Sequence, residues 1–186
     1  MKRIAITGTH GVGKTSLAYA LFDKFTELNI KASLNTKLAR SLIEKGYPLG
    51  KEATSESYIQ YIISQLRAEQ TAEKCDVFIS DRTLLDPLSY SIVNQKYINS
   101  TVPDDIIKLL ESVWLLESIQ YDLYVLVPIE FEMPIDDIRP VDKKYRERIE
   151  TQIASILSDY CINYITVSGT IDERADQVLN SIGIQW

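Results

Sequence analysis

Near its start the chain carries the octet Gly8-Thr-His-Gly-Val-Gly-Lys-Thr15, which fits the pattern G-x-x-x-x-G-K-[ST] at every fixed position. Only seven glycines occur in the 186 residues, and three of them fall inside this octet. The flanks supply the context that the pattern requires. Lys2 to Ile6 is a short apolar run suited to a buried strand. After the loop, Leu17, Leu21, Phe25 and Leu28 recur at helical spacing and make one apolar face. Strand, glycine-rich turn and helix therefore come in the order that builds a phosphate cradle. Gly8, Gly11 and Gly13 let the backbone curl into a nest of N–H groups, and the helix N-terminus adds positive potential. Lys14 is expected to reach the β- and γ-phosphates of a nucleoside triphosphate, and Thr15 to offer its hydroxyl to Mg²⁺. Val12 and Ser16 complete the expected triphosphate contacts through the loop and the first helical turn. His10 sits at a variable loop position and reads as filler.

The rest of the chain alternates apolar strands with helices. Strands are expected at Ala32 to Asn35, Val77 to Asp81, Leu123 to Val127 and Tyr164 to Val167. Helices are expected around Leu38 to Ile43, Ser55 to Ala72, Leu84 to Tyr97, Pro103 to Ile119, Lys143 to Leu157 and Ile171 to Ile182. Unbroken apolar strands between helices imply a parallel sheet covered on both faces, a three-layer α/β fold. The whole of residues 1–186 reads as one domain. On the Ser55 to Ala72 helix, Ile59, Ile62, Ile63 and Leu66 form the expected core stripe. Tyr58, Tyr61, Gln65 and Glu69 line up beside it, as a solvated flank or as contacts for a base or sugar; Tyr58 and Gln65 are carried forward as acceptor contacts.

Val77 to Asp81 has the form of a Walker B strand, an apolar run ending in an acid. At the carboxyl end of a strand beside the first, Asp81 would face the same crevice as the loop. It can hold Mg²⁺ or take the proton of an attacking hydroxyl. Arg82 follows, with a planar fork suited to phosphate or carboxylate. Further along, "PIDDIRPVDKKYRER" interrupts the α/β pattern with a charged loop that enters a helix. Arg139 and Arg146 of that stretch, within an expected lid at 128–148, are placed to neutralise charge that develops in phosphoryl transfer. Lys144 and Arg148 read as solvated.

A net charge of −6 argues against a long polynucleotide partner, which rewards clustered Lys and Arg. No apolar run approaches the length needed to span a membrane, and the cytoplasm is the expected compartment. Cys75 and Cys161, far apart and without metal-ligand neighbours, read as reduced, buried thiols. A homodimer is left open.

Together these segments resemble the P-loop nucleoside and nucleotide kinases, within a small AAA-type ATPase/kinase group similar to the ribosylnicotinamide-kinase domain of the bacterial NAD-synthesis regulator. "RIAITGTHGVGKTSLAYAL", "VFISDRTLLDPLSY", "DDIRPVDKKYRERI" and "YITVSGTIDERADQVL" carry the resemblance over nearly the whole chain. It implies five parallel strands, ATP with Mg²⁺ as phosphoryl donor, and a small nucleoside- or nucleotide-like acceptor in the facing cleft. By position it implies that Gly8, Gly13, Lys14 and Thr15 hold the triphosphate, that Asp81 serves metal or base, that Arg82 serves the acceptor, and that Arg139 and Arg146 form the lid. One departure stands out. Related kinases often place an acid after the second strand, shortly before an arginine like Arg40. This chain has Thr36 and Lys37 there, with Arg40 kept as an acceptor contact. The alternative to a kinase is a regulatory, partner-coupled ATPase; the N-K-x-D sequence of guanine-specific switches has no match at "NQKY".

Overall fold

The computed structural model describes residues 1–72, 75–130 and 142–183. Its frame is a sheet of five parallel strands in the order β2-β3-β1-β4-β5. These are β1 (Lys2–Thr7), β2 (Ala32–Asn35), β3 (Val77–Asp81), β4 (Leu123–Leu126) and β5 (Tyr164–Thr166). Register aligns the two ends that matter: Ile6 stands opposite Asp81 on one side and Val125 on the other. The carboxyl ends of β1 and β3 therefore open at the same level.

Alternation along the strands feeds two separate cores. Ile4, Ile6, Ile79 and Val125 point to one face, where α1 (Lys14–Glu27) and α7 (Ile171–Ser181) cover them with Leu17, Leu21, Phe25, Val178 and Leu179. Ala5, Phe78 and Tyr124 point to the other. That face is covered by α3 (Ser55–Thr71), α4 (Leu85–Ile98), α5 (Asp104–Ser118) and α6 (Lys143–Asp159). The short α2 (Leu38–Glu44) packs on α3. Trp114 of α5 is fully buried and meets Tyr160 edge-on at 5.3 Å between ring centroids, a favoured aromatic geometry.

Helix starts follow local chemistry. Thr54 and Ser57 form a reciprocal capping box at α3, Thr170 and Glu173 another at α7, and Asp142 accepts the Tyr145 N–H at α6. The α1 start differs, because Gly13 caps it in a left-handed conformation with no side-chain bond. Its first N–H groups are left for another partner.

Two expectations are corrected. The stripe of α3 that faces the core is Tyr58, Tyr61, Ile62, Gln65 and Glu69, whereas Ile59 and Ile63 are 39% and 37% exposed. Aromatic area and a satisfied polar network outweigh two isoleucines, so the helix is turned toward its tyrosines. The cysteines are free but not buried: Cys75 is half-buried and Cys161 exposed.

Candidate active site

β1 delivers the chain into the loop at Thr7, and the loop's glycines are conformational necessities. Gly8, Gly11 and Gly13 all have positive φ. A Cβ on Gly8 would come within 2.5 Å of the Val127 carbonyl oxygen, so only glycine fits where the loop passes β4. Lys14 is 3% exposed and folds over its own loop, donating to the Gly8 carbonyl at 2.7 Å and also to the Thr9 carbonyl. Burial, and then the Arg82 guanidinium, push its ammonium down to about 7, against the pull of Asp86 and Asp81. Val12 is buried, and its carbonyl accepts from Arg174 at 3.1 Å; Ser16 is exposed on the first turn of α1.

The Thr15 hydroxyl donates to Asp81 Oδ2 at 2.5 Å, which joins the loop to the end of β3. Asp81 Oδ1 is buried without a hydrogen-bond partner among the described residues. Those residues hold no cluster of three or more His, Cys, Asp or Glu for a metal. Mg²⁺ does not require one, since it is held by one or two protein oxygens together with phosphates and waters. An orphaned carboxylate oxygen beside a hydroxyl at a phosphate cradle fits that ion.

Arg82 adopts φ +80, a left-handed conformation that is costly for an arginine. Its N–H bonds the Ile6 carbonyl at 2.9 Å and its carbonyl accepts from Ser80 at 2.6 Å. The turn aims the guanidinium between two acids, 3.8 Å from Asp81 Oδ1 and 3.8 Å from Asp86 Oδ1. Asp86 is a buried acid on the first turn of α4. Burial pushes its carboxyl up to about 6, opposed by Lys14 and Arg82.

Thr15, Asp81, Arg82 and Asp86 line a cleft of about 860 Å³. Its lining also includes Lys37, Arg40 and Lys51, with Tyr58, Tyr61, Tyr90, Tyr145, Leu49 and Pro87 as walls. Such size and mixture suit a flat, polar small molecule. Tyr61 presents a hydroxyl with no hydrogen-bond partner among the described residues, and burial and nearby Asp86 raise its pKa well above the ordinary value. The Tyr90 and Tyr145 rings meet edge-on at 5.9 Å. His10 is more than filler: its N–H donates to the Tyr90 hydroxyl at 3.2 Å, and its ring Nδ1 lies 3.1 Å from that oxygen.

The expected residues are thus only partly brought together. Arg40 and Tyr58 line the cleft. Gln65 does not; it donates to Glu69 at 2.8 Å and Ser80 at 3.2 Å inside a buried network with Tyr121. Arg146 is 2% exposed, not on the lid's surface, and its Nε and Nη2 have no hydrogen-bond partner among the described residues. Lys144 and Arg148 are exposed as expected. Arg139 and most of the expected lid lie outside the described residues. Sequence reasoning missed Asp86 and Arg174. Arg174 is buried and joins Val12 to the Gly169 carbonyl, at 2.9 Å, and to Glu130, at 2.8 Å. A signal for it existed, an arginine on the apolar stripe Ile171, Ala175, Val178 of α7.

Five parallel strands in this order, with a glycine-rich loop entering the first helix, define an α/β protein of the P-loop NTPase fold. The sequence profile of the AAA domain family matches residues 3–174, and the chain belongs to that family. No protein of curated function matches the chain by sequence. Among solved structures, a NadR protein in complex with NAD and AMP-PNP superposes with a TM-score of 0.74 at 15% identity, over 100% of this chain and 50% of that one. A NadR protein in complex with NR gives 0.72 at 17%, over 99% and 51%. The chain therefore spans about half the length of those NadR chains. A deoxyadenosine kinase from M. mycoides, with dCMP and a flexible dCDP bound, gives 0.66 at 15%, over 97% and 98%.

Proposed function

We propose that this protein is an ATP-dependent phosphotransferase that moves the γ-phosphoryl group to a small nucleoside- or nucleotide-like acceptor. The observation that carries the reading is the convergence of the Thr15–Asp81 pair and Arg82 on a tyrosine-walled cleft.

In this reading the loop N–H groups and Lys14 hold the triphosphate, and Thr15 with Asp81 holds Mg²⁺, which when bound offsets phosphate charge. Lys14 exchanges its two carbonyl bonds for phosphate oxygens. Arg82, paired at distances too long for hydrogen bonds, is available to phosphate or acceptor. Arg146 contributes a buried cation, with Arg139 assigned to the lid. The tyrosine walls seat the acceptor and exclude water, which would otherwise take the phosphoryl group. Arg40 and Tyr58 contact the acceptor. The cytoplasm, where ATP is supplied, is the compartment this reading takes.

The test is ADP release from Mg·ATP, with and without ribonucleosides, deoxynucleosides, their monophosphates and ribosylnicotinamide. One acceptor is expected to raise turnover many-fold and to gain the mass of one phosphate, with Lys14→Ala inactive. A low rate that no acceptor changes would overturn the reading in favour of the regulatory ATPase.

A further inference from the structure

If the chain is a kinase, some group must meet the acceptor's hydroxyl. Four carboxylates line the cleft: Glu44, Asp81, Asp86 and Asp142. Asp81 is engaged by Thr15 through Oδ2. Asp142 is held by Lys51 at 2.7 Å and by the Tyr145 N–H at 3.0 Å. Glu44 is exposed at the end of α2. Residues 36–40, after β2, contain no acid.

Asp86 shares with Asp81 a buried carboxyl with one open oxygen, but its bonded oxygen takes Thr7 and Thr83 rather than the Thr15 hydroxyl. It is 2% exposed, and its Oδ2 is fixed by the Thr7 hydroxyl at 3.2 Å and the Thr83 N–H at 3.3 Å. Those bonds tie the carboxyl to the end of β1, one residue before the phosphate loop, and to the turn after β3. They leave Oδ1 without a hydrogen-bond partner among the described residues. The Arg82 Nε at 3.8 Å is too far to satisfy it. A buried carboxylate oxygen lacking a donor costs free energy unless a ligand supplies one.

We propose that Asp86 is the carboxylate that orients and deprotonates the acceptor hydroxyl, leaving Asp81 to the metal. The assignment rests on the kinase reading. The acceptor oxygen forms a bond to the γ-phosphorus as the bond from that phosphorus to the β–γ bridging oxygen breaks. ADP leaves with the bonding pair, the hydroxyl proton passes to Asp86, and water takes it up after product release. The raised carboxyl, near 6, is compatible with accepting a proton at neutral pH.

The experiment compares Asp86→Asn with Asp81→Asn, using the acceptor panel for turnover and mant-ATP fluorescence for nucleotide binding. Asp86→Asn is expected to lower acceptor-dependent turnover by roughly 10²–10⁴-fold, while the mant-ATP Kd in Mg²⁺ stays within about twofold of wild type. Asp81→Asn is expected to raise the Mg²⁺ concentration needed for mant-ATP binding. Turnover of Asp86→Asn close to wild type would overturn the assignment, as would loss of mant-ATP binding matching that of Asp81→Asn. If Asp86→Asn does not fold, Asp86→Glu, which shifts the carboxyl by one methylene, is held to the same two outcomes. A wild-type protein that no acceptor stimulates overturns the kinase reading and this assignment with it; a stimulated wild type with an indifferent Asp86 variant overturns the assignment alone.

Discussion

Arg82 and Asp86 are unfavourable residues for a fold and favourable ones for a site. A left-handed arginine costs on the order of 1–2 kcal/mol, which glycine avoids. Arg82→Gly and Arg82→Ala both delete the guanidinium, but only the alanine keeps the strained φ of +80. The glycine variant is therefore expected to be more stable than the alanine variant by about 1 kcal/mol in urea denaturation, with both losing acceptor-dependent turnover. Equal stability would show that the turn relaxes once the side chain is gone. Asp86 offers a pH test. Burial raises its carboxyl from 3.8 to about 6, so the folded chain holds a proton there that the unfolded chain has lost. Stability from this group therefore falls as pH rises from about 4 to 6, and the cost persists above. Asp86→Asn, which still accepts from Thr7 and Thr83, is expected to exceed wild type by on the order of 2 kcal/mol at pH 7.5, with the gain vanishing toward pH 4. Denaturation midpoints at both pH values check it. Neither residue's geometry was legible in the sequence. Asp81-Arg82 was singled out as a chemical pair, but the left-handed turn has no sequence mark. Asp86 was hidden as an ordinary first-turn acid before Pro87.

At the scale of elements, the strands were legible because buried parallel strands read as plain apolar runs. Ala32 to Asn35 and Val77 to Asp81 were found to the residue, and the other three strands differ by one residue at their carboxyl ends. Helix α3 was found too, but the face it turns inward was not. Counting isoleucines favoured a stripe through Ile59 and Ile63, whereas the structure buries Tyr58, Tyr61, Gln65 and Glu69 around Ile62. Periodicity fixes the element; which side is buried depends on partners from β3 and α5 that lie far away in sequence. Gln65 shows the consequence, since its bonds to Ser80 and Glu69 belong to the support behind β3 and not to the cleft. The orientation is checked by paired truncations. Ile62→Ala is expected to cost about 2–4 kcal/mol and Ile63→Ala less than about 1, read from urea midpoints at unchanged m-value. The reverse order would restore the isoleucine stripe.

For the whole molecule, the phosphate loop is the seam between two otherwise separate cores. Its own helix packs in the core of α1 and α7, and Arg174 of α7 bonds Val12 and the Gly169 carbonyl. On the other face, Asp86 of α4 bonds Thr7, and Tyr90 bonds His10. Loop and flanking strand thus take contacts from both layers of helices, although no stretch of sequence announces those pairings. At this seam Lys14 bonds loop carbonyls, and α1 begins without a side-chain cap. A ligand that fills the cradle should then stabilise the entire domain by mass action. AMP-PNP with Mg²⁺ at about a hundred times its Kd adds close to 2.7 kcal/mol, which for a chain of this length raises Tm by roughly 5–10 °C. Differential scanning fluorimetry with Mg²⁺, with EDTA and with Lys14→Ala separates the contributions. Mg·AMP-PNP is expected to give the full shift, EDTA a smaller one on the proposal that Thr15 and Asp81 hold the ion, and Lys14→Ala little or none. A full shift retained in Lys14→Ala would mean that the nucleotide binds elsewhere than at the loop.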